Sequence, residues 1–187
     1  ARARIVVVGE QPGDKEDLAG RPFVGPAGQL FDKALDELGV DRKQCYVTNA
    51  VKHFKFERRG KARLHKSPNP AEQRACRIWL ENELARIKPE IVVCLGAIAA
   101  RNVIGSAFKL MQQRGQWIEL ASGAHAIATV HPSFVLRQRD PASRERLARL
   151  EKELADLKEE ETRLRAQWET EKAEISGSSN IKEQLEQ

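Results

Sequence analysis

A pentapeptide near the start of the chain carries two side chains that could take part in chemistry. It reads Gly9-Glu10-Gln11-Pro12-Gly13 and follows a short run of valines. Its glycines let a ligand approach the backbone closely, and the Glu10 carboxylate and the Gln11 amide can contact a reacting group. A tight turn between a strand and a helix explains the same residues equally well.

Three more positions could contact a flat polar ligand. Phe23, in a loop rich in proline and glycine, can offer a stacking surface for a ring. Asn49 carries both a donor and an acceptor, so it can pair with the edge of a base that has left the stack. His131, fixed by the following Pro132, can donate a hydrogen bond to a ligand carbonyl. Taken singly, a core phenylalanine, a turn-forming asparagine and a structural histidine are the simpler interpretations.

A basic segment extends from Lys52 to Lys66. It contains seven lysines and arginines and a single acidic residue, Glu57. Aromatic and histidine side chains are interleaved with these charges, which is typical of segments that bind polyanions, most often nucleic acid. A solvated loop without a ligand is the alternative, and charge alone does not decide between the two. The interleaved residues are His53, Phe54, Phe56 and His65.

Alternating strands and helices must position these segments. Short β-branched runs predict buried strands, and apolar residues at helical spacing predict helices between them. Asn69 suits the N-cap of the second helix and the Lys88-Pro89 pair suits its end. Residues 52–69 have neither period and are predicted to be loop. The predicted strands are 5–8, 45–48, 91–95, 117–120 and 126–130, and the predicted helices are 26–38, 70–87 and 96–103.

This alternation predicts an α/β fold with three layers, α/β/α, around a mostly parallel central sheet. In such folds, ligands bind at the carboxyl ends of the strands. Four of the segments whose residues could take part in chemistry fall at those ends: residues 9–13, 48–53, 96–97 and 131–133. The sequence therefore predicts one site, built within a first domain of residues 1–139.

The composition excludes several classes of protein. No apolar run reaches the roughly 20 residues that span a bilayer, and no basic and apolar leader precedes the first strand. Three cysteines without paired spacing argue against a disulfide scaffold and for a reducing compartment. The net charge of +5 is unevenly divided, since residues 1–139 carry 23 basic and 14 acidic residues and residues 140–187 carry 9 and 13. The first residue is not methionine, so a longer parent protein is expected.

After residue 139 the pattern changes to that of a long amphipathic helix. Large apolar residues recur at spacings of three and four, which predicts a helical coiled-coil arm within residues 140–187 that could associate with a second copy. The predicted seam consists of Leu147, Leu150, Leu154, Leu157, Leu164, Trp168 and Ile175.

The order of the motifs before residue 139 resembles the uracil-DNA glycosylase superfamily. The matching stretches are GEQPG, PFVGPAG, VTNAVKHFK, CLG and HPS, and the resemblance extends over residues 3–137. Gln11, the VTNAVKHFK stretch and the basic insertion at residues 58–65 are similar to the UdgX subgroup, whose members resemble the iron–sulfur family-4 glycosylases. In that subgroup a histidine of the basic loop becomes covalently attached to uracil-containing DNA.

This resemblance implies a uracil-specific glycosylase that becomes linked to DNA. His65 would capture the sugar C1′ after the glycosidic bond breaks, and Glu10 and Gln11 would line the reaction centre. The sequence has KARLH where the subgroup typically has KRRIH, so Ala62 replaces one basic residue. Ordinary hydrolysis with release of product, and a truncated, inactive scaffold that binds nucleic acid, remain the alternatives.

The resemblance also implies a base pocket. Phe23 would stack on uracil, and Asn49 would read its hydrogen-bonding edge. His131 would contact a uracil carbonyl and stabilise the departing anion. The same pocket would be lined by Gly9, Pro12 and Gly13.

The implied partner is uracil-containing DNA, with single strands preferred, in the bacterial cytosol or nucleoid. The basic segment and the last motif would gather phosphates and hold the backbone near the extruded nucleotide. These contacts are expected from Lys52, His53, Lys61, Arg63 and Ser133.

The cysteines depart from the family pattern. The family-4 glycosylases hold a [4Fe–4S] cluster with four ligands, two of them in an N-terminal C-x-x-C pair that is not in this sequence. Cys76 stands where the family has a helix cysteine, Cys94 is a further ligand or a core residue, and Cys45 is expected in the core. The ligand set is therefore expected to be incomplete, either because an N-terminal segment is missing or because no cluster is bound.

Residues 140–175 resemble the coiled-coil middle domain of ClpB-type disaggregases. The sequence from Pro141 to Ile175 matches that arm closely, and the chain contains no P-loop motif. A fusion of a glycosylase domain with part of this arm, or a generic solvated helix, would explain the pattern.

Overall fold

The computed structural model describes residues 3–139, together with residues 149, 158–166, 168–169 and 172. By its contacts the chain divides into two units, Ala1–Arg137 and Gln138–Gln187. The strands and the candidate site belong to the first unit. Within the described residues, every helix is too short or too polar to cross a membrane.

In the second unit, the described residues from 149 onward are helical. Leu164 and Trp168, two positions of the predicted seam, are 51% and 58% exposed. Arg165 lies between Glu161 and Glu169, one helical turn away on either side, and pairs with both. The coiled coil stays a prediction, because its other seam positions lie outside the described residues: Leu147, Leu150, Leu154, Leu157 and Ile175.

The first unit alternates strands and helices along the chain. The strands are β1 (Ile5–Gly9), β2 (Cys45–Asn49), β3 (Phe56–Arg59), β4 (Ala62–His65), β5 (Ile91–Leu95), β6 (Trp117–Glu119) and β7 (His125–Thr129). The helices are α1 (Asp14–Ala19), α2 (Pro26–Glu37), α3 (Pro70–Ile87), α4 (Ala97–Val103), α5 (Leu110–Gln113) and α6 (Pro132–Arg139), and a 3-10 turn covers Arg42–Gln44.

Five of the strands form one sheet in the order β2-β1-β5-β7-β6. The strands β2, β1, β5 and β7 run parallel, and β6 runs antiparallel to β7. The prediction of a mostly parallel central sheet is therefore confirmed. The parallel strands end at one edge of the sheet, where the last residue of β1, Gly9, lies opposite the last residue of β2, Asn49.

Alternate residues of β1 are buried in two separate cores. Val6 and Val8 of β1 belong to the same cluster as Leu80 of α3. Val7 belongs to a second cluster with Phe31 of α2. Helices therefore cover both faces of the sheet, which explains why the strand is apolar without alternation.

The boundaries of α3 follow the capping signals in the sequence. The Asn69 side chain accepts a hydrogen bond from the Glu72 N–H, and the Glu72 carboxylate accepts one from the Asn69 N–H. This capping box fixes the start of the helix. The helix ends at Ile87, and its C-cap, Lys88, adopts a left-handed conformation directly before Pro89.

The prediction of a loop at residues 52–69 is wrong, because this segment contains a β-hairpin. Strands β3 and β4 pair antiparallel with Phe56 opposite His65, and Gly60 turns the chain at a φ of 60°. Most side chains of the two strands are exposed, so no apolar alternation marks them in the sequence. The short helix α1 also escapes prediction, since it buries no residue.

Leu80 is expected to be a sensitive position of the first core. Its side chain is 1% exposed, so Leu80→Ala should lower the free energy of unfolding by about 2–5 kcal/mol through lost burial and the cavity left behind. Ile78 on the same helix is 59% exposed, and Ile78→Ala, the control, should stay within about 0.5 kcal/mol of the wild type. Urea denaturation measures both, and equal losses would contradict this core.

Candidate active site

A cavity of about 520 Å³ opens at the carboxyl edge of the sheet. It is bordered by the ends of β1 and β2, by the hairpin and by the start of α6. Pro12 lines a neighbouring cavity of about 290 Å³ instead. The larger cavity brings together eight of the residues predicted from the sequence: Glu10, Gln11, Gly13, Phe23, Asn49, His65, His131 and Ser133.

The ring of Phe23 forms one wall of this cavity. Phe23 is 5% exposed, and its ring centroid lies 5.6 Å from that of His131. A Cβ atom on Gly9 would lie 2.8 Å from the Phe23 ring and would collide with Oδ1 of Asn49. A glycine at the end of β1 therefore lets the aromatic ring and the amide approach each other. Phe23 also belongs to the second core, so one residue serves as both core and cavity wall.

Two buried oxygen atoms of the cavity have no hydrogen-bond partner among the described residues. They are Oε1 of Glu10 and Oδ1 of Asn49. Leaving a buried acceptor unpaired costs on the order of 1–3 kcal/mol, so native proteins keep such atoms where a ligand or water completes the bond. Both atoms are therefore candidates for ligand contacts.

His131 is held as a neutral hydrogen-bond donor. Its Nδ1 accepts from the backbone N–H of Ser133 at 3.2 Å and lies 2.8 Å from the Ser133 hydroxyl. Because Nδ1 accepts, the ring proton belongs on Nε2. Burial, together with the nearby positive charge of Arg137, lowers the pKa of His131 to about 4. The imidazole is therefore uncharged near neutral pH. Ser133, a predicted DNA contact, serves to orient this ring.

Gln11 binds the neck of the hairpin, which consists of Lys55 just before β3 and Lys66 just after β4. Its Nε2 donates to the carbonyl oxygens of Lys55 and Lys66, at 3.3 and 3.1 Å. Its Oε1 accepts from the Lys55 N–H at 3.2 Å. Gln11 is a buried residue that lines the cavity, but its amide is used in hydrogen bonds that fix the position of the hairpin.

Arg63 fastens the hairpin to α1. Its guanidinium forms ion pairs with Asp14 and Asp17. It also lies over the rings of Phe54 and Phe56, at 5.4 and 5.1 Å from their centroids. The side chain predicted to contact DNA is thus engaged within the chain, and it holds the hairpin beside the cavity.

His65 ends β4 and stands at the cavity. Its Nε2 lies 3.9 Å from Oε1 of Glu10, and its ring centroid lies 6.2 Å from that of Phe54. The His65 side chain is 49% exposed and that of Glu10 is 23% exposed. A carboxylate that follows β1 and an imidazole from the hairpin therefore meet at one place.

Lys52, another predicted DNA contact, supports the end of β2. Its Nζ lies 2.7 Å from the Glu83 carboxylate and donates to the Thr48 hydroxyl and to the Asn49 carbonyl, both at 2.8 Å. The ammonium group is therefore engaged inside the fold and holds the backbone of Asn49. The predicted contacts that are exposed are His53 and Lys61.

The family model of the uracil DNA glycosylase superfamily matches residues 1–158. The chain belongs to this superfamily. A Type-4 uracil-DNA glycosylase of Thermotoga maritima is 39% identical over 137 residues, which are 73% of this chain and 68% of that protein. One of Archaeoglobus fulgidus is 35% identical over 142 residues, or 72% and 68% of the two chains. The superfamily expected from the motif order is therefore confirmed.

A shorter similarity links this member of the superfamily to a chaperone. Chaperone protein ClpB 1 of Thermosynechococcus vestitus is 54% identical over 50 residues, which are 27% of this chain and 6% of that protein. The match is in keeping with the resemblance of residues 140–175, but it covers only a small part of the chaperone.

The described residues do not fit the iron–sulfur cluster expected from the family-4 resemblance. Cys76 is buried, and its Sγ accepts from the Lys52 N–H at 3.5 Å. Cys94 is fully buried in the first core, where burial raises the pKa of its thiol to about 12 and disfavours the thiolate that iron binds. Cys45 packs against the second core. Among the described residues, no group of three or more histidines, cysteines and carboxylates could hold a metal, whereas a [4Fe–4S] cluster needs four ligands.

Four residues that line the cavity are not predicted from the sequence: Glu16, Ala27, Ser67 and Arg137. Two of them have contacts that shape the site. Oε1 of Glu16 accepts from the Gly25 N–H at 2.6 Å and so fastens the Phe23 loop to α1. Arg137 donates to the Ser133 hydroxyl at 3.4 Å. The spacing of four between Ser133 and Arg137 on α6 could have indicated the second contact, but no local pattern indicates the first.

Gly9→Ala is expected to disturb the cavity wall. The added Cβ would overlap the Phe23 ring, and such overpacking costs about 1–3 kcal/mol of unfolding free energy. In a Phe23→Ala background the added cost should be smaller, because the ring is gone. Gly39→Ala is the control: its Cβ meets open space, although the φ of +67° strains any side chain there, so its loss should be the same with and without the Phe23 ring. Fully additive losses for Gly9 and Phe23 in denaturant titrations would contradict the close approach.

Because of His131, the free energy of unfolding should decrease as the pH falls from about 6.5 towards 4. Its folded pKa of about 4 lies below the ordinary histidine value, so the unfolded chain binds the proton first. The contribution of His131 is therefore complete above about pH 6.5 and falls as the pH approaches 4, by about 3 kcal/mol. His131→Asn should remove this loss, whereas the change at exposed His125, His125→Asn, should not. Identical pH curves of unfolding free energy for wild type and His131→Asn would refute the buried neutral imidazole.

Proposed function

We propose that this chain is a uracil-DNA glycosylase in which His65 becomes covalently linked to the DNA sugar. The relatives named Type-4 uracil-DNA glycosylases support the excision. The observation that carries the proposal is the meeting of His65 and Glu10, 3.9 Å apart, in the cavity that also contains Phe23, Asn49 and His131.

The groups of the cavity are complementary to uracil. The base stacks on Phe23, and its N3–H donates to the unpaired Oδ1 of Asn49. The Nε2–H of neutral His131 donates to a uracil carbonyl. Cytosine has no hydrogen on N3, so its ring lone pair would face Oδ1 of Asn49 and leave that buried acceptor unpaired, which disfavours it strongly.

Cleavage of the N-glycosidic bond separates charge. The bonding electron pair leaves with uracil N1, so the base becomes an anion and the sugar C1′ becomes cationic. His131 stabilises the anion through a donor that is already oriented by Ser133. The Glu10 carboxylate stabilises the cation, because Oε1 is buried at the cavity and has no hydrogen-bond partner among the described residues.

Capture by His65 completes the proposed reaction. A lone pair on a ring nitrogen of His65 forms a bond to C1′, and the alkylated imidazole then releases its remaining N–H proton to solvent or to Glu10. The C1′–N bond that results has no good leaving group near neutral pH, so the protein stays attached. Water that reached C1′ first would instead give an abasic site and free enzyme.

An ordinary hydrolytic glycosylase is the second candidate. Two observations favour it: the similarity to Type-4 enzymes extends over 137 residues, and His65 is half-exposed, so water can reach its surroundings. In that case the same base pocket would operate, and His65 would only help to exclude or orient water.

The proposed substrate is uracil-containing DNA, preferably single-stranded, in the cytosol or nucleoid of a bacterium. An extruded base is easier to obtain from a single strand, since no pairing is lost. The hairpin that contributes His65 to the cavity also offers exposed cations for phosphates. They are Arg58, Arg59 and Lys61. Two predictions concern residues 140–187. This segment should associate with a second copy of the chain, and it should not be needed for the reaction with uracil DNA.

His65→Ser is expected to convert crosslinking into hydrolysis. The wild type, mixed with a uracil-containing single-stranded oligonucleotide, should give a band of reduced mobility on a denaturing gel. His65→Ser should lose this band and release free uracil with an abasic site, because water replaces the imidazole. The matched control is His125→Ser, which changes the first residue of β7 and should crosslink normally. A thymine oligonucleotide should give no band with the wild type.

Each other outcome selects a different function. An adduct that persists in His65→Ser would assign the nucleophile to another residue. Free uracil in many turnovers from the wild type would favour the hydrolytic candidate. Equal binding of uracil and thymine DNA without reaction would leave only a nucleic-acid-binding domain.

A further inference from the structure

The wall of the base pocket has an unfavourable backbone conformation. Phe23 has a φ of 55°, in the left-handed region that large side chains rarely occupy. A residue stays in such a conformation only when its surroundings hold it there. The orientation of the Phe23 ring therefore depends on contacts outside the cavity.

Arg42, which does not line the cavity, supplies such contacts. Its Nη2 donates to the carbonyl oxygens of Pro22 and Phe23, at 3.1 and 3.2 Å. Its Nη1 pairs with Asp32 of α2. The planar guanidinium thus joins the strained loop to a helix, a geometry that a lysine cannot reproduce with one nitrogen.

The elements around Arg42 are themselves fixed. Arg42 opens the 3-10 turn before β2, and Asp41 caps this turn by accepting from the Lys43 N–H at 2.8 Å. The guanidinium also lies 5.7 Å from the centroid of Phe31, whose ring is 5.5 Å from that of Phe23. The loop is held between β2 and α2 as a result.

Glycine completes the arrangement on the helix side. A Cβ atom on Gly28 of α2 would overlap the carbonyl oxygen of Phe23, so the helix backbone lies directly against that carbonyl. The Phe23 carbonyl is therefore confined by Gly28 and bound by Arg42.

We propose that Arg42 is a positioning residue for the base-stacking ring, acting on uracil recognition only through Phe23. This inference rests on the proposed function, since it treats Phe23 as the surface on which uracil stacks. Without Arg42, residue 23 relaxes to a negative φ and its ring leaves the position beside His131. Binding of the base weakens, whereas the groups that act on the sugar and hold the phosphates stay in place.

Arg42→Met should weaken binding of free uracil about tenfold, within the range that base–aromatic stacking contributes. Single-turnover excision from uracil DNA should slow to a similar degree, while affinity for abasic DNA should stay unchanged. Lys43→Met removes a neighbouring exposed charge from the same 3-10 turn and is the control that should behave as wild type.

A double-variant cycle tests whether Arg42 acts through Phe23. If it does, Arg42→Met adds nothing to the loss already caused by Phe23→Ala, and the combined variant equals Phe23→Ala. A further tenfold loss in the combined variant, or an equal loss in abasic DNA binding, would overturn the inference. Thermal unfolding of each variant keeps any general loss of stability apart from these readouts.

A crystal structure of Arg42→Met gives a readout that does not need activity. Residue 23 should leave the left-handed region, and a φ still near 55° would overturn the inference. If the wild type neither excises uracil nor crosslinks to DNA, the proposed function fails, yet the structure of the variant still decides whether Arg42 holds Phe23.

Discussion

The site depends on the register of two parallel strands. Pairing of β1 with β2 sets Gly9 opposite Asn49, and the pairing continues beyond the strands as the Ala50 and Val51 N–H groups donate to the carbonyls of Gly9 and Glu10. This register brings a carboxylate, an amide and the Phe23 ring to one edge of the sheet. A shift by one residue would move Val7 to the first core and Val6 and Val8 to the second, so the packing of both cores and the cavity would be lost together.

The second part of the site is attached to this sheet edge by side chains. The hairpin has few buried residues of its own, so its position depends on Gln11 at its neck and on the ion pairs of Arg63 with α1. His65 reaches Glu10 through these long-range contacts. The candidate site therefore combines a rigid half, fixed by strand pairing, with a half that is fixed by a few polar contacts.

The sequence predicts the rigid half well and the attached half poorly. Short apolar runs identify β1, β2 and β5, and the ends of the first two identify Glu10 and Asn49 as candidates, because both signals are local. The hairpin strands have no apolar period. The partner of Gln11 is a backbone far along the chain, so its structural use cannot be predicted from its type. Whether Cys94 is a cluster ligand or a core residue depends on its burial, which can be read only from the packed fold.

The ion pairs of Arg63 also bear on how DNA contacts would be counted. The number of phosphates bound by a protein is usually taken from the slope of the logarithm of the binding constant against that of the salt concentration. Here the Arg63 side chain is 22% exposed and its partners are more so, so added salt also screens the pairs that dock the hairpin. Docking and phosphate binding then weaken together. A slope measured on the intact protein would therefore count more phosphates than the hairpin touches.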